Sequence, residues 1–250
     1  MMNHGSRYFQ LGSAAMGRPV HLWVHGWYGR PVIVFPTAGG YAHEWKQHGM
    51  LEALAPLVQA GRFKLYCPEH NAVETWLGTG DDDRRLARHA AYERFIYEDL
   101  LPFVREDCET PDIEVGVAGA SLGAAYALTL ALKRPSDVVW ALAMSGRYDL
   151  GPFVPGAQPG DLVDFDPIQL VHRLKAEDLA ALQQHRRRVL VCGQGAYEGR
   201  CVAETISMAS ALKERQIPAK LDLWGSDVHH GWSWWAKQAA HYLPLLEEAR

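Results

Sequence analysis

Between Val115 and Leu132 the chain runs eighteen residues without a charged side chain. A run of that length touches the lower limit for a membrane-spanning helix. Gly116, Gly119 and Gly123 interrupt it, however, and Ala rather than Leu predominates. The pattern instead predicts a buried strand, Ile113–Ala118, turning into a buried helix, Ser121–Arg134. Such a segment belongs inside a covered core.

The flanking sequence repeats that alternation. Arg7–Leu11 and Val20–His25 read as short alternating strands of an edge hairpin, and the apolar run Pro31–Phe35 as a strand buried on both faces. Glu44–Ala60 carries Trp45, His48, Met50, Leu51, Leu54 and Leu57 at helical spacing. Lys64–Cys67 is a short strand and Asp82–Asp107 a long helix. Beyond the central segment come strand Val138–Ser145, a Gly/Pro/Asp-rich loop Gly151–Asp166, and short helices near Ile168–Leu174 and Glu177–Gln184. Strand Arg188–Cys192, helix Cys201–Arg215, strand Ala219–Trp224 and helix Ser233–Glu248 complete the series. Strands alternating with helices predict a mostly parallel central sheet with helices on both faces. No linker or repeat divides the 250 residues, so one domain over 1–250 is expected, with about 151–184 as a small cap.

Composition narrows the partners. A formal net charge of -4, from 25 basic and 29 acidic residues, lacks the basic excess of a nucleic-acid binder. The opening MMNHGSRYFQLGS has no apolar core of signal type, so neither membrane nor secretion is expected. Four cysteines without a C-x-x-C pair predict neither structural zinc nor a disulfide framework. Free thiols fit a reducing, cytoplasmic setting. Twelve histidines include no H-E-x-x-H or similar ligand spacing, so no metal and no cofactor is expected. Oligomeric state is left open.

In open parallel sheets, chemistry sits in the loops at the carboxyl ends of the strands. One such loop carries Gly119-Ala120-Ser121-Leu122-Gly123, a G-x-S-x-G turn between a strand and a helix. A turn that tight needs glycine two residues either side of Ser121, and it projects the hydroxyl at a helix N-terminus. A lone hydroxyl is a weak nucleophile and needs a His base oriented by a carboxylate. In this arrangement the chain order is Ser, acid, His. Of the five later histidines, His172 and His185 fall in or near the cap helices and His241 inside the last helix. His229 and His230 share the loop after Ala219–Trp224, His230 nearer the helix that follows. Glu198, after strand Arg188–Cys192, stands where the orienting acid belongs; Asp227 and Asp149 are the alternatives. Leu122 and Ala38, the latter in Pro36-Thr37-Ala38-Gly39-Gly40, are the expected backbone N–H donors to an oxyanion.

Taken together, these residues resemble the putative-esterase branch of the α/β-hydrolases, which includes S-formylglutathione hydrolases, feruloyl esterases and mycolyltransferases. The resemblance runs from about Pro31 to Trp235. It is carried by YEDLLPFV (Tyr97–Val104), GASLGAAYALTLALKRP (Gly119–Pro135), SGRYDL (Ser145–Leu150), CGQGAYEGR (Cys192–Arg200) and IPAKLDLWGSDVHHGWSWW (Ile217–Trp235). The last is similar to a His-x-Trp-x-Trp-Trp ending, which implies His230 as base, Ser121 as nucleophile and Glu198 as acid. The chain departs from many relatives in having Pro36-Thr37 where they carry His-Gly or Asp-Gly, and Glu in place of the commoner Asp.

The expected function is hydrolysis of a small or medium ester through an acyl-enzyme on Ser121. Tyr41, Trp76, Tyr148, Phe153 and Trp232 are candidates to line the substrate pocket. Two alternatives keep the fold: an acyltransferase using the same triad, and a binding protein without turnover. Nine Trp and ten Tyr remain a compositional oddity. Trp224, Trp232, Trp234 and Trp235 are expected to pack the loop that holds His230.

Overall fold

A parallel sheet forms where apolar runs can be hidden on both faces, and the strands of this chain meet that condition. The computed structural model describes residues 5–158, 160–184 and 187–248. Residues 1–4 and His185 lie outside the described residues. The strands are β1 (Arg7–Leu11), β2 (Val20–His25), β3 (Arg30–Phe35), β4 (Phe63–Pro68), β5 (Val115–Ala120), β6 (Val138–Met144), β7 (Arg187–Cys192) and β8 (Lys220–Leu223). They form one sheet in the order β1-β2-β4-β3-β5-β6-β7-β8. β1 pairs with β2, and β2 with β4, antiparallel; every other neighbour is parallel. The N-terminal hairpin is therefore the antiparallel edge of a mostly parallel sheet.

Helices cover both faces. α1 (Glu44–Gln47), α2 (Met50–Gln59) and α9 (Trp232–Glu248) close one core around Val34, Leu65, Ala118, Trp140 and Leu142. On the other face α3 (Asp82–Phe95), α4 (Leu101–Asp107), α5 (Leu122–Lys133), α6 (Pro167–Arg173), α7 (Ala176–Gln183) and α8 (Gly199–Glu214) complete the architecture. That core holds Ile33, Tyr92, Val117, Leu128 and Leu190. α6 packs against α5 and α8, so the cap helices extend this layer.

The uncharged run resolves as a six-residue strand, β5, feeding a twelve-residue helix, α5. All of β5 is buried, and so is α5 up to its final lysine. Gly116 is required here: a Cβ on it would stand 2.1 Å from the Trp140 ring. Among the described residues, no helix is long and apolar enough to cross a membrane.

Three elements differ from expectation for local reasons. The helix expected over Glu44–Ala60 is two, broken at Gly49, whose φ of 80° lies in the left-handed region. The helix expected over Asp82–Asp107 keeps its direction but passes through a π-turn at Ile96–Leu100. Pro102 stands two residues on; its ring has no N–H and would collide with the carbonyl four residues back, so the wider turn relieves it. The strand expected over Ile113–Ala118 begins and ends two residues later. Ile113 N–H instead closes a turn on the Thr110 carbonyl, at 3.2 Å. Ser121 therefore follows the strand directly.

Several buried histidines shape the pH response. Burial holds the imidazoles of His25 and His70 down at about 4 and that of His89 at about 3. Above the ordinary value of 6.5 they are neutral in both folded and unfolded chains, and contribute nothing. Below it the unfolded chain takes up protons that the folded chain refuses, so stability falls from about pH 6.5 towards pH 4. Urea unfolding across that window should show a declining midpoint. His89→Phe should flatten the decline by up to about 1.4 kcal/mol per pH unit; an unchanged slope would contradict the assignment.

Candidate active site

The site begins with a packing restriction. At the junction of β5 and α5 a Cβ on Gly119 would lie 2.1 Å from the Gly123 carbonyl oxygen, and one on Gly123 would lie 2.4 Å from that of Pro36. Strand, helix and the end of β3 approach so closely that only glycine fits at both positions. The turn forces Ser121 to φ 55° and ψ -123°, a strained conformation for a non-glycine residue. Its N–H bonds the Met144 carbonyl at 2.9 Å, and its carbonyl accepts from Arg147 N–H at 3.2 Å. Ser121 is thus held at the N-terminus of α5.

Two loops bring partners to it. A Cβ on Gly193 or Gly195 would meet the Val228 carbonyl oxygen at 2.1 or 2.7 Å, so the loop after β7 lies flush against the loop after β8. Gly195 N–H bonds Val228 O at 2.8 Å, and His230 N–H bonds Ala196 O at 3.0 Å. This seam places His230 Nδ1 3.0 Å from Glu198 Oε2, and His230 Nε2 3.1 Å from Ser121 Oγ. A carboxylate only accepts hydrogen bonds, so Nδ1 carries the ring proton and Nε2 presents its lone pair to the serine hydroxyl. His229 turns outward and accepts from Trp234 Nε1 at 2.9 Å. Trp235 packs edge-on against His230 at 4.8 Å.

The three candidate acids separate by environment. Glu198 is 0% exposed. Its Oε1 accepts from Ser145 Oγ at 2.6 Å, and the Ser145 oxygen accepts from Trp235 Nε1 at 3.1 Å. Asp149 pairs loosely with Arg200 at the surface, at 3.7 Å, and Asp227 is exposed. Two cysteines flank Glu198: Cys192 Sγ lies 3.5 Å from its Oε2, and Cys201 Sγ 3.7 Å from His230 Nδ1. Burial, reinforced by the Glu198 charge, pushes the Cys201 thiol up to about 12 and that of Cys192 higher still. Both are protonated at neutral pH and are no nucleophiles.

The loop after β3 is organised by a residue that sequence reasoning passed over. Glu44, 5% exposed, accepts from Thr37 N–H at 2.8 Å, Thr37 Oγ1 at 2.9 Å and Tyr41 N–H at 3.2 Å. His70 N–H bonds the Gly40 carbonyl at 3.0 Å, and Gly40 sits at φ 80°. Among the described residues, the Ala38 N–H has no intramolecular partner. Leu122, first in α5, lacks a helical acceptor by position.

Ser145, Glu44 and Cys201 carried no sequence signal beyond their proximity to the motifs. The aromatic candidates divide. Trp76 and Tyr148 are 2% and 0% exposed, packed in the core, where they offer no ring face to a ligand. Tyr41 is exposed, and Phe153 is half-buried under Arg147. Trp232 is half-buried and stacks on His48 at 4.5 Å. His172 and His241 are not brought to Ser121; His172 lies in the last turn of α6, and His241 packs against Trp224 and Tyr242.

Comparison with known proteins agrees with this architecture. The sequence model of the family described as "Putative esterase" matches residues 17–245. A structure of an S-formylglutathione hydrolase from Agrobacterium tumefaciens superposes with TM-score 0.76 at 13% identity, over 98% of this chain and 94% of that one. A ferulic acid esterase gives 0.73 at 16% identity, over 98% and 97%. FphF of Staphylococcus aureus, a fluorophosphonate-binding serine hydrolase, gives 0.74 at 12% identity, over 97% and 98%. Against curated protein sequences no match is found. These structural likenesses show the α/β-hydrolase fold, and the family match over most of the sequence shows that the chain belongs to the putative-esterase family.

Proposed function

We propose that the protein is a carboxylesterase that hydrolyses a small or medium ester through an acyl-enzyme on Ser121. The observation that carries this reading is the unbroken chain Ser121 Oγ–His230–Glu198, with links of 3.1 and 3.0 Å and a fully buried carboxylate at its end. Ser121 attacks the ester carbonyl as its proton passes to His230 Nε2. Glu198 faces the Nδ1–H and stabilises the imidazolium that forms. Negative charge on the carbonyl oxygen is met by the N–H groups of Leu122 and Ala38, pre-set by the helix start and by the loop that Glu44 braces. Collapse of this intermediate expels the alcohol, which takes the proton from His230. Water then enters, loses its proton to the same nitrogen, and releases the acid.

The strained backbone at Ser121 supports the assignment, because such conformations persist where surrounding structure holds them for function. Tyr41 and Trp232, which keep surface exposed, are the aromatic side chains we assign to substrate. Four free cysteines favour a cytoplasmic setting, and one α/β domain with 151–184 as its cap accounts for the chain.

With p-nitrophenyl acetate or butyrate, Ser121→Ala should lower kcat/KM roughly a thousandfold or more, with an unchanged circular dichroism spectrum. Retained turnover would overturn the reading. Ser145→Ala should cost about 1.5–3 kcal/mol in urea unfolding, because it strips a hydrogen bond from a buried carboxylate. It should also lower kcat more than it raises KM. Unaltered stability and kcat would show that Ser145 does not position Glu198.

A further inference from the structure

The triad acid and base share their space with a thiol that the esterase reaction does not use. Glu198, Cys201 and His230 each offer one donor atom, and the three atoms lie within 4.8 Å of one another. Glu198 and Cys201 are buried, and the His230 side chain is 21% exposed, so this is no loose surface cluster. Glu198 immediately precedes α8, and Cys201 stands three residues later in its first turn. His230 arrives from the opposing loop, tied by its N–H to Ala196.

We propose that these residues form a capture site for a soft divalent cation of the zinc and cadmium class, whose binding switches the hydrolase off. The activity consequence rests on the triad reading; the binding itself does not. A tetrahedral zinc site has metal–nitrogen and metal–oxygen bonds of about 2.0–2.2 Å and a metal–sulfur bond of about 2.3 Å, which sets ligand–ligand edges of roughly 3.3–3.7 Å. The Nδ1–Oε2 edge is 3.0 Å and the Nδ1–Sγ edge 3.7 Å, so two edges stand close to that geometry. The third, between Cys201 Sγ and the Glu198 carboxylate, lies within 4.8 Å.

Charge points the same way. A carboxylate, a thiolate and a neutral imidazole together neutralise a divalent ion, leaving no net charge in a buried space. The donor set of sulfur and imidazole beside a single carboxylate suits zinc or cadmium over calcium or magnesium. The surroundings are suited to ligation as well. Ser145 Oγ holds Glu198 by Oε1, so that Oε2 faces His230 with the Cys192 thiol 3.5 Å behind it, and Trp235 holds Ser145 in turn. Such outer partners orient metal ligands.

The switch follows from proton positions. On binding, the Cys201 thiol proton leaves for solvent and the metal takes the Nδ1 lone pair. The ring proton moves to Nε2, keeping the imidazole neutral, and one proton is released for each ion bound. An Nε2–H donates and cannot accept, so Ser121 loses its base.

Three measurements test this. Calorimetric titration of the Ser121→Ala protein with zinc chloride should show one equivalent bound. Replacing zinc with cadmium should produce the ultraviolet thiolate-to-cadmium charge-transfer band. Cys201→Ala and Cys201→Ser, each in the Ser121→Ala background, should lose the band and bind zinc about tenfold or more weaker. In proteins retaining Ser121, zinc should inhibit p-nitrophenyl butyrate hydrolysis and a chelator should restore it. Measured against each protein's own metal-free rate, half-inhibition should need about tenfold or more zinc once Cys201 is replaced. No charge-transfer band, or zinc affinity unchanged on loss of Cys201, overturns the site. Binding through Cys201 without inhibition of an active enzyme overturns the switch. If the metal binds but the wild-type protein hydrolyses no ester, the site stands and the triad reading falls instead.

Discussion

Everything at the carboxyl edge of the sheet depends on how closely β5, α5 and the end of β3 approach one another. The Gly119 and Gly123 contacts leave no room for a methyl group against backbone carbonyls, and Ser121 is carried into a positive φ between them. Close packing is therefore converted into a chemical position: a hydroxyl at a helix start, projecting from the floor of the site rather than lying along it. The same glycine logic recurs where Gly193 and Gly195 admit the Val228 carbonyl, and that second seam sets His230 against Glu198.

Buried carboxylates do the rest of the organising, each gathering one loop. Glu44 collects the N–H groups of Thr37 and Tyr41. Glu204 collects those of Tyr148 and Asp149, with Arg147 and Arg200 alongside. Asp166 takes Leu150 N–H at 2.9 Å and Gln169 N–H at 3.0 Å. Charge-assisted bonds of this kind are short and directional, and removing one partner leaves a buried charge exposed to its full desolvation cost. Loops that would otherwise be mobile are thereby pre-set, which is what stabilisation of a developing oxyanion requires.

Legibility in the sequence followed the range of the forces involved. The strand–helix alternation and the Gly119–Gly123 turn were visible because period and turn chemistry are local. Chain order along this fold narrowed the candidates to Ser121, a carboxylate after β7 and the His229–His230 pair; the resemblance implied His230, and the contacts of His230 with Ser121 and Glu198 across the loop seam were not legible. Two element ends slipped: Gly49 breaks the helix expected over Glu44–Ala60, and Ile113 spends its N–H on a turn. Glu44, Ser145 and Cys201 were not legible, since each acts on a partner far away along the chain or across a loop seam. Trp76 and Tyr148 misled for the same reason: aromatic character alone does not distinguish a ring packed in the core from one facing substrate. The tryptophans after Trp224 divide their work, Trp234 turning His229 away, Trp235 bracing His230 and Ser145, and Trp232 stacking on His48.

The central claim is that one serine, activated by its histidine, is the nucleophile. The most direct measurement is peptide mapping by mass spectrometry after exposure to a fluorophosphonate probe. The account predicts a single adduct on Ser121, formed far more slowly when His230 is replaced by alanine. An adduct on another residue, or none in the folded wild-type protein, would contradict it.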